Sequence, residues 1–223
     1  MTSQLVLFIA SQPHRKGQGT IDLSLAKREI WSTPTLSERV PEQVVEMIAP
    51  MNFHDVVRTR RSIRSYRPDH IPEEVLGRVL EAVRIAPSGS NRQPWRFIVV
   101  KDEEVKQRLV PACNGQSWIA DAPVAIVACG QDIHYNRGGY MEEMSVLVDV
   151  SIAFTHLILA ARAEGLGTCW IGAFNNSEVK KILGVPEDYN VVAITPLGYP
   201  EGQPFTEPKG RKALTEITST DRF

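Results

Sequence analysis

Met141–Ala163, MEEMSVLVDVSIAFTHLILAARA, and the run after it, Glu164–Phe174, EGLGTCWIGAF, decide the fold. The first part reads as a long helix, apolar almost all round and interrupted by Asp149, Ser151, Thr155 and His156. A helix apolar on every face is buried in a large core or an interface. Its polar interruptions argue against a membrane span. The second part tests the dinucleotide fingerprint and fails it. Gly165 and Gly167 are spaced correctly, but Trp170 stands in the sixth place, and the run follows a helix where the fingerprint follows a strand. What is left is a helix C-cap at Gly165 and a strand from Thr168 to Ile171, with Trp170 packed as core.

Upstream, Trp95–Val100 and Pro123–Cys129 read as buried strands, and Gly130–Gly139 as a polar, glycine-bearing loop. Pro72 takes the N1 position of a helix with Glu73 and Glu74 in its first turn, which suits proline's fixed φ and the helix dipole. Val75, Leu76, Val79, Leu80 and Val83 follow at helical spacing, and Pro87–Asn91 stops the helix. Downstream, Asn176–Leu183 reads as a short helix and Val191–Leu197 as a strand. The sum is a mixed α/β or α+β domain with few strands and one central helix. Residues 1–50 differ: they are rich in Ser, Thr, Gln and Pro, with one helical hint over Ser37–Ala49. We expect the folded domain to span 51–223 and 1–50 to be an N-terminal extension.

The whole-chain quantities narrow the function classes. At 223 residues the chain suits one domain. A formal net charge of -1 gives no reason to expect nucleic acid or anionic membrane as the main partner. Cys113, Cys129 and Cys169 are widely spaced, odd in number and form no C-x-x-C pair, which argues against a disulfide framework or a structural zinc and for a reducing compartment. The apolar run Leu5–Ala10 is too short for a signal segment and has no basic residue before it. A cytoplasmic location without a bound metal is the expectation.

Four clusters could carry chemistry. Arg58–Arg67 holds five arginines in ten residues around Ser62. It is either a solvated basic face or an anion site, since guanidinium forks match phosphate geometry. Ala86–Trp95, APSGSNRQPW, is either a turn-rich connector or a loop that lets backbone approach a flat, polar-edged ligand. The third cluster is Glu164–Phe174. The fourth is the basic Pro208–Lys212, which matters only if it meets the first in space.

In this order and spacing the clusters resemble the nitroreductase family of FMN enzymes. The resemblance covers Asn52 to Leu214. It rests on Arg60–Arg64, Pro87–Trp95, Gly165–Gly172, Pro196–Pro200 and Lys209-Gly210-Arg211. It implies a nitroreductase-like α+β fold, a mixed sheet flanked by helices, with two chains interlocked as a homodimer and FMN at their interface. Carried over position by position, it implies that Arg60 and Ser62, beside Arg61, hold the FMN phosphate, with Lys209 and Arg211 joining them. Arg64 lies against the N1–C2 edge of the flavin, where it stabilises the reduced anion. Pro87, Ser88, Gly89 and Asn91 reach the partner's flavin, and Gly172 and Ala173 bring backbone amides near N5. The helix containing Asp149 forms much of the dimer core.

The implied activity is reduction of a small acceptor, such as a nitroaromatic or quinone, with NADH or NADPH as donor in a ping-pong cycle. The flavin carries the electron transfer while the protein positions and tunes it. Acceptor choice falls to Gln131–Tyr140, with His134, Tyr135, Arg137 and Tyr140 as candidates; a mobile surface loop is the plain alternative. Three rival readings remain: a flavin-binding store or sensor without turnover, a related reductive dehalogenase, and a nucleic-acid module built on the arginines. The last predicts affinity that falls steeply with salt.

Overall fold

The computed structural model describes residues 51–223; the expected extension over 1–50 and its helical hint lie outside the described residues. In chain order the elements are α1 (Phe53–Thr59), α2 (Glu73–Arg84), β1 (Trp95–Val100), α3 (Glu103–Ala112), α4 (Trp118–Asp121), β2 (Val124–Gln131), α5 (Gly139–Ala163), β3 (Gly167–Thr168), α6 (Asn176–Leu183) and β4 (Tyr189–Gly198). The sheet order is β1-β2-β4-β3, and every strand pair is antiparallel. The parallel component of the expected mixed sheet reduces to one isolated bridge, Ser62 with Thr168. That bridge matters, because it lays the arginine segment along the sheet.

Strand alternation divides the core between two helical layers. Val124, Ile126 and Ala128 of β2 face α2 and α5, packing with Val79, Val150, Phe154 and Leu157. Ala125, Val127 and Cys129 face the other way, against Leu109 of α3, Ile119 of α4 and Val179 of α6. On β4, Ala193 and Leu197 keep to the first layer and Ile194 to the second. Val191 also joins the second, because the β2–β4 register slips between Ala128 and Cys129. One unpaired residue thus reverses which face the side chains reach.

α5 is long and apolar enough to cross a bilayer by length and composition. Val150, Ala153, Phe154, Leu157, Ile158 and Ala161 of this helix are buried in the core. Tyr140, Met141, Leu147 and Val148 point outward and are exposed. Phe154 anchors the inner face, stacked near Phe97 at 6.4 Å and edge-on to Trp170 at 4.5 Å.

Four expectations need correction. Pro72 is the N-cap of α2, so Glu73 takes N1. Gly130 and Gln131 belong to β2, and the loop proper is 132–138. β1 is only partly buried, because it pairs with a strand on one side alone. Trp170 is 41% exposed: β3 ends at Thr168, and beyond it the indole meets Phe154 edge-on.

Candidate active site

The site begins with how Arg60–Arg64 is held. Asn52 caps α1 by accepting from the His54 N–H at 2.9 Å, and α1 ends at Thr59 with Arg60 as its C-cap. The chain then runs extended beside Thr168, where Ile63 N donates to the Thr168 carbonyl at 2.8 Å. Ile63 is buried and packs within van der Waals reach of Gly167, where a Cβ would come to 2.8 Å of it. Alternation sends Ser62 and Arg64 to the opposite, exposed face.

The five arginines of this run divide into two kinds. The outer two are ion-paired, Arg58 with Glu207 and Arg67 with Asp69. Among the described residues no carboxylate lies within salt-bridge distance of Arg60, Arg61 or Arg64. Burial holds the Arg60 guanidinium below its usual pKa, and the like charges of Arg61 and Arg211 push in the same direction. Arg61 Nη2 is buried without a hydrogen-bond partner among the described residues. Arg64 lies 5.5 Å from the centre of the Trp118 ring, and both Arg64 and Arg60 act on the Cys169 thiol. Burial raises that thiol's pKa; the two arginines and the Ser62 hydroxyl oppose the shift.

The chain after β4 returns to this place. Arg67 N donates to the Tyr199 carbonyl at 2.8 Å, and Glu201 N to the Ser65 carbonyl at 3.2 Å. Phe205 lies beneath the buried guanidinium of Arg162, 3.9 Å from ring centre to Cζ, while Arg162 Nε donates to Thr59 Oγ1 at 3.0 Å. With the Arg58–Glu207 pair, these contacts bring the exposed Arg211 near enough for its charge to act on Arg60; Lys209 is exposed, and no hydrogen bond or ion pair among the described residues ties it to the cluster.

A second group lies elsewhere on the chain. Pro87–Asn91 leads through a single 3-10 turn, and Ser90, Asn91 and Gln93 all adopt left-handed backbone at φ 53, 55 and 51. For residues other than glycine this is strain that surrounding contacts must hold. Ser88 Oγ accepts from Gln93 N at 2.9 Å, and the Asp149 carboxylate accepts from Gly89 N at 3.1 Å on each oxygen. No described hydrogen bond or ion pair joins this group to the arginine cluster.

Gly172 and Ala173 are exposed, and their backbone N–H groups have no hydrogen-bond acceptor among the described residues. Gly172 lines a cavity of about 560 Å³ with Asp132, His134, Glu142, Val146 and Phe174. Of the four acceptor candidates, His134 alone lines it too. Tyr135 is buried with its hydroxyl on Asp149, Arg137 lies over the Tyr135 ring, and Tyr140 sits on the outward apolar face of α5. The loop is tied down as well, since Tyr135 N and Arg137 N both donate to the Glu142 carboxylate, at 2.6 and 2.7 Å.

The sequence profile of the nitroreductase family matches residues 57–117 and 113–199, which takes in the arginine run and the Pro87–Asn91 loop but stops short of Lys209 and Arg211. This chain belongs to the nitroreductase family. A protein of Archaeoglobus fulgidus named putative NADH dehydrogenase/NAD(P)H nitroreductase is 36% identical over 152 residues, covering 66% of this chain and 85% of that one. Iodotyrosine deiodinase 1 of mouse is 29% identical over 227 residues, covering 87% and 78%. The solved nitroreductase family protein of Clostridium difficile 630 superposes with a TM-score of 0.69 at 32% identity, over 78% of this chain and all of that one. The present chain is an NAD(P)H-dependent flavin oxidoreductase of α+β fold.

The cation cluster of this family member fits a flavin phosphate. A phosphomonoester carries about -1.5 to -2 charges at pH 7. Arg60, Arg61 and Arg211 converge with a buried guanidinium nitrogen still unpartnered, which is the donor set such an anion needs. Sequence reasoning missed Arg162 and Phe205, whose contact depends on residues 43 apart, and the anchoring role of Glu142. Asp149 had a signal, as the lone acid within an apolar helix.

Proposed function

We propose that this nitroreductase binds FMN in a homodimer and uses NADH or NADPH to reduce a small acceptor, such as a nitroaromatic or quinone, as a soluble cytoplasmic enzyme whose folded domain spans 51–223. The observation that carries the reading is the convergence of Arg60, Arg61 and Arg211 without a carboxylate among the described residues. Arg60, Arg61, Ser62, Lys209 and Arg211 hold the phosphate. Arg64 supplies positive charge at the pyrimidine edge of the ring, where preorganised charge favours the reduced state over the oxidised one. Pro87, Ser88, Gly89 and Asn91 serve the partner's flavin. The free amides of Gly172 and Ala173 orient the ring edge beside the cavity that His134 lines. When bound, FMN accepts hydride from the nicotinamide donor and passes reducing equivalents to the acceptor. The outward face of α5, with exposed Leu147 and Val148 beside Phe53, supports the dimer.

The test is anaerobic titration of the FMN-loaded protein with NADH and NADPH, followed by initial rates against nitro and quinone acceptors. Bleaching of the flavin bands and parallel double-reciprocal lines are expected; a flavin that binds but is not reduced would make the protein a store or sensor. The deiodinase relative favours a second reading, reductive dehalogenation. Halide release from halogenated phenols at rates above those for quinones would support it.

A further inference from the structure

Asp149 is a buried carboxylate, and among the described residues no cation lies within salt-bridge distance of it. A buried charge without a counter-ion depends on its hydrogen bonds. Its donors come from two loops. Gly89 N, in the loop proposed to serve FMN, donates to both oxygens, and the Tyr135 hydroxyl, in the loop proposed for the acceptor, donates to Oδ2. Arg92 and Arg137, one following each loop's anchor, approach the Tyr135 ring at 5.6 and 4.9 Å. The loops are in contact as well as co-anchored: a Cβ on Gly89 would stand 2.1 Å from Arg137 Nη2 and 3.0 Å from Tyr135 Cε1. The strained Ser90, Asn91 and Gln93 give the first loop reason to relax if the anchor is lost.

We propose that Asp149 is a positioning residue that binds these two loops into one unit, so that FMN affinity and acceptor recognition change together. This rests on the proposed function, which gives one loop to FMN and the other to the acceptor. Tyr135 is the sharper probe, since Tyr135→Phe removes one hydroxyl from the acceptor loop and leaves every bond of the flavin loop in place.

The experiment measures FMN Kd by fluorescence quenching, and KM and kcat for 1,4-benzoquinone with NADH, in wild type, Tyr135→Phe, Asp149→Asn and the double variant. Tyr135→Phe should raise both FMN Kd and quinone KM by about 3- to 10-fold, the scale of one buried hydrogen bond, with kcat at saturating FMN changed less than either. The double variant should show less than the sum of the two single effects, because both changes act on the same link. A Tyr135→Phe protein with altered quinone KM and unchanged FMN Kd, or additive effects in the double variant, overturns the coupling. Should Asp149→Asn fail to fold, Tyr135→Phe alone decides the matter by the same two constants. A wild type that takes up no FMN overturns the reading beneath the proposal; a wild type that binds FMN while Tyr135→Phe leaves its Kd unchanged overturns only the link.

Discussion

The arginine cluster and the Asp149 node solve opposite electrostatic problems. Around Arg60 the charges share one sign, burial and neighbours both disfavour protonation, and a buried guanidinium nitrogen has no partner among the described residues. Around Asp149 the one buried charge is met by a backbone N–H and a hydroxyl, with two arginines on the adjoining ring. The first arrangement would gain its balance from the flavin phosphate proposed for it. The second holds its shape without one, which is what a scaffold requires. On this reading unsatisfied charge marks the proposed binding site, and satisfied charge marks what would keep the proposed binding loops in place.

Substitutions can break this contrast. Arg60→Ala with Arg211→Ala should weaken FMN binding most, by about 10- to 100-fold for each charged hydrogen-bond donor lost. The same change should leave the thermal midpoint of the FMN-free protein unchanged or slightly higher, since it removes like-charge repulsion. Asp149→Ala should act in reverse on folding, destabilising the FMN-free protein by about 1–3 kcal/mol for each buried group left unpaired, as read by urea denaturation. If the arginine pair destabilises as much as Asp149→Ala, the division of roles is wrong.

Ionic strength sharpens the comparison further. FMN affinity should fall as NaCl rises from 10 to 500 mM, because exposed cations such as Lys209 and Arg211 are screened. The buried node should be indifferent, so the stability difference between wild type and Asp149→Ala should hold at both salts. The smallest effect concerns the thiols. Burial pushes Cys113 and Cys129 up to about 11, so both stay protonated at pH 7.5 and native protein should react slowly with a thiol reagent, and fully only after unfolding.

Much of this was legible before the structure. The expected helix Asn176–Leu183 coincides with α6, whose ends are set by the Asn175 cap and by Gly184 at φ 64. α3 carries start signals that the sequence analysis does not use, Asp102 as its cap and Glu103 and Glu104 in its first turn, while Pro111 lies inside its last turn. The arginine run showed its composition but not its division into paired and unpaired members. Asp69 is two residues from Arg67, whereas Glu207 reaches Arg58 only once the chain has folded back. Trp170 misled for a related reason: burial of an aromatic depends on where its strand stops. Asp149 looked like an interruption in an apolar helix, and its meaning appears only with the two loops it holds.

The central claim, that unpaired basic groups from both ends of the domain converge on a flavin phosphate, is tested most directly by titrating the full chain with FMN against riboflavin. The account predicts one FMN per chain and a Kd for riboflavin at least about 100-fold weaker, with most of that gap gone in Arg60→Ala/Arg211→Ala, because charged phosphate contacts supply the difference. Equal affinity for the two flavins, or no uptake of either by folded protein, contradicts it.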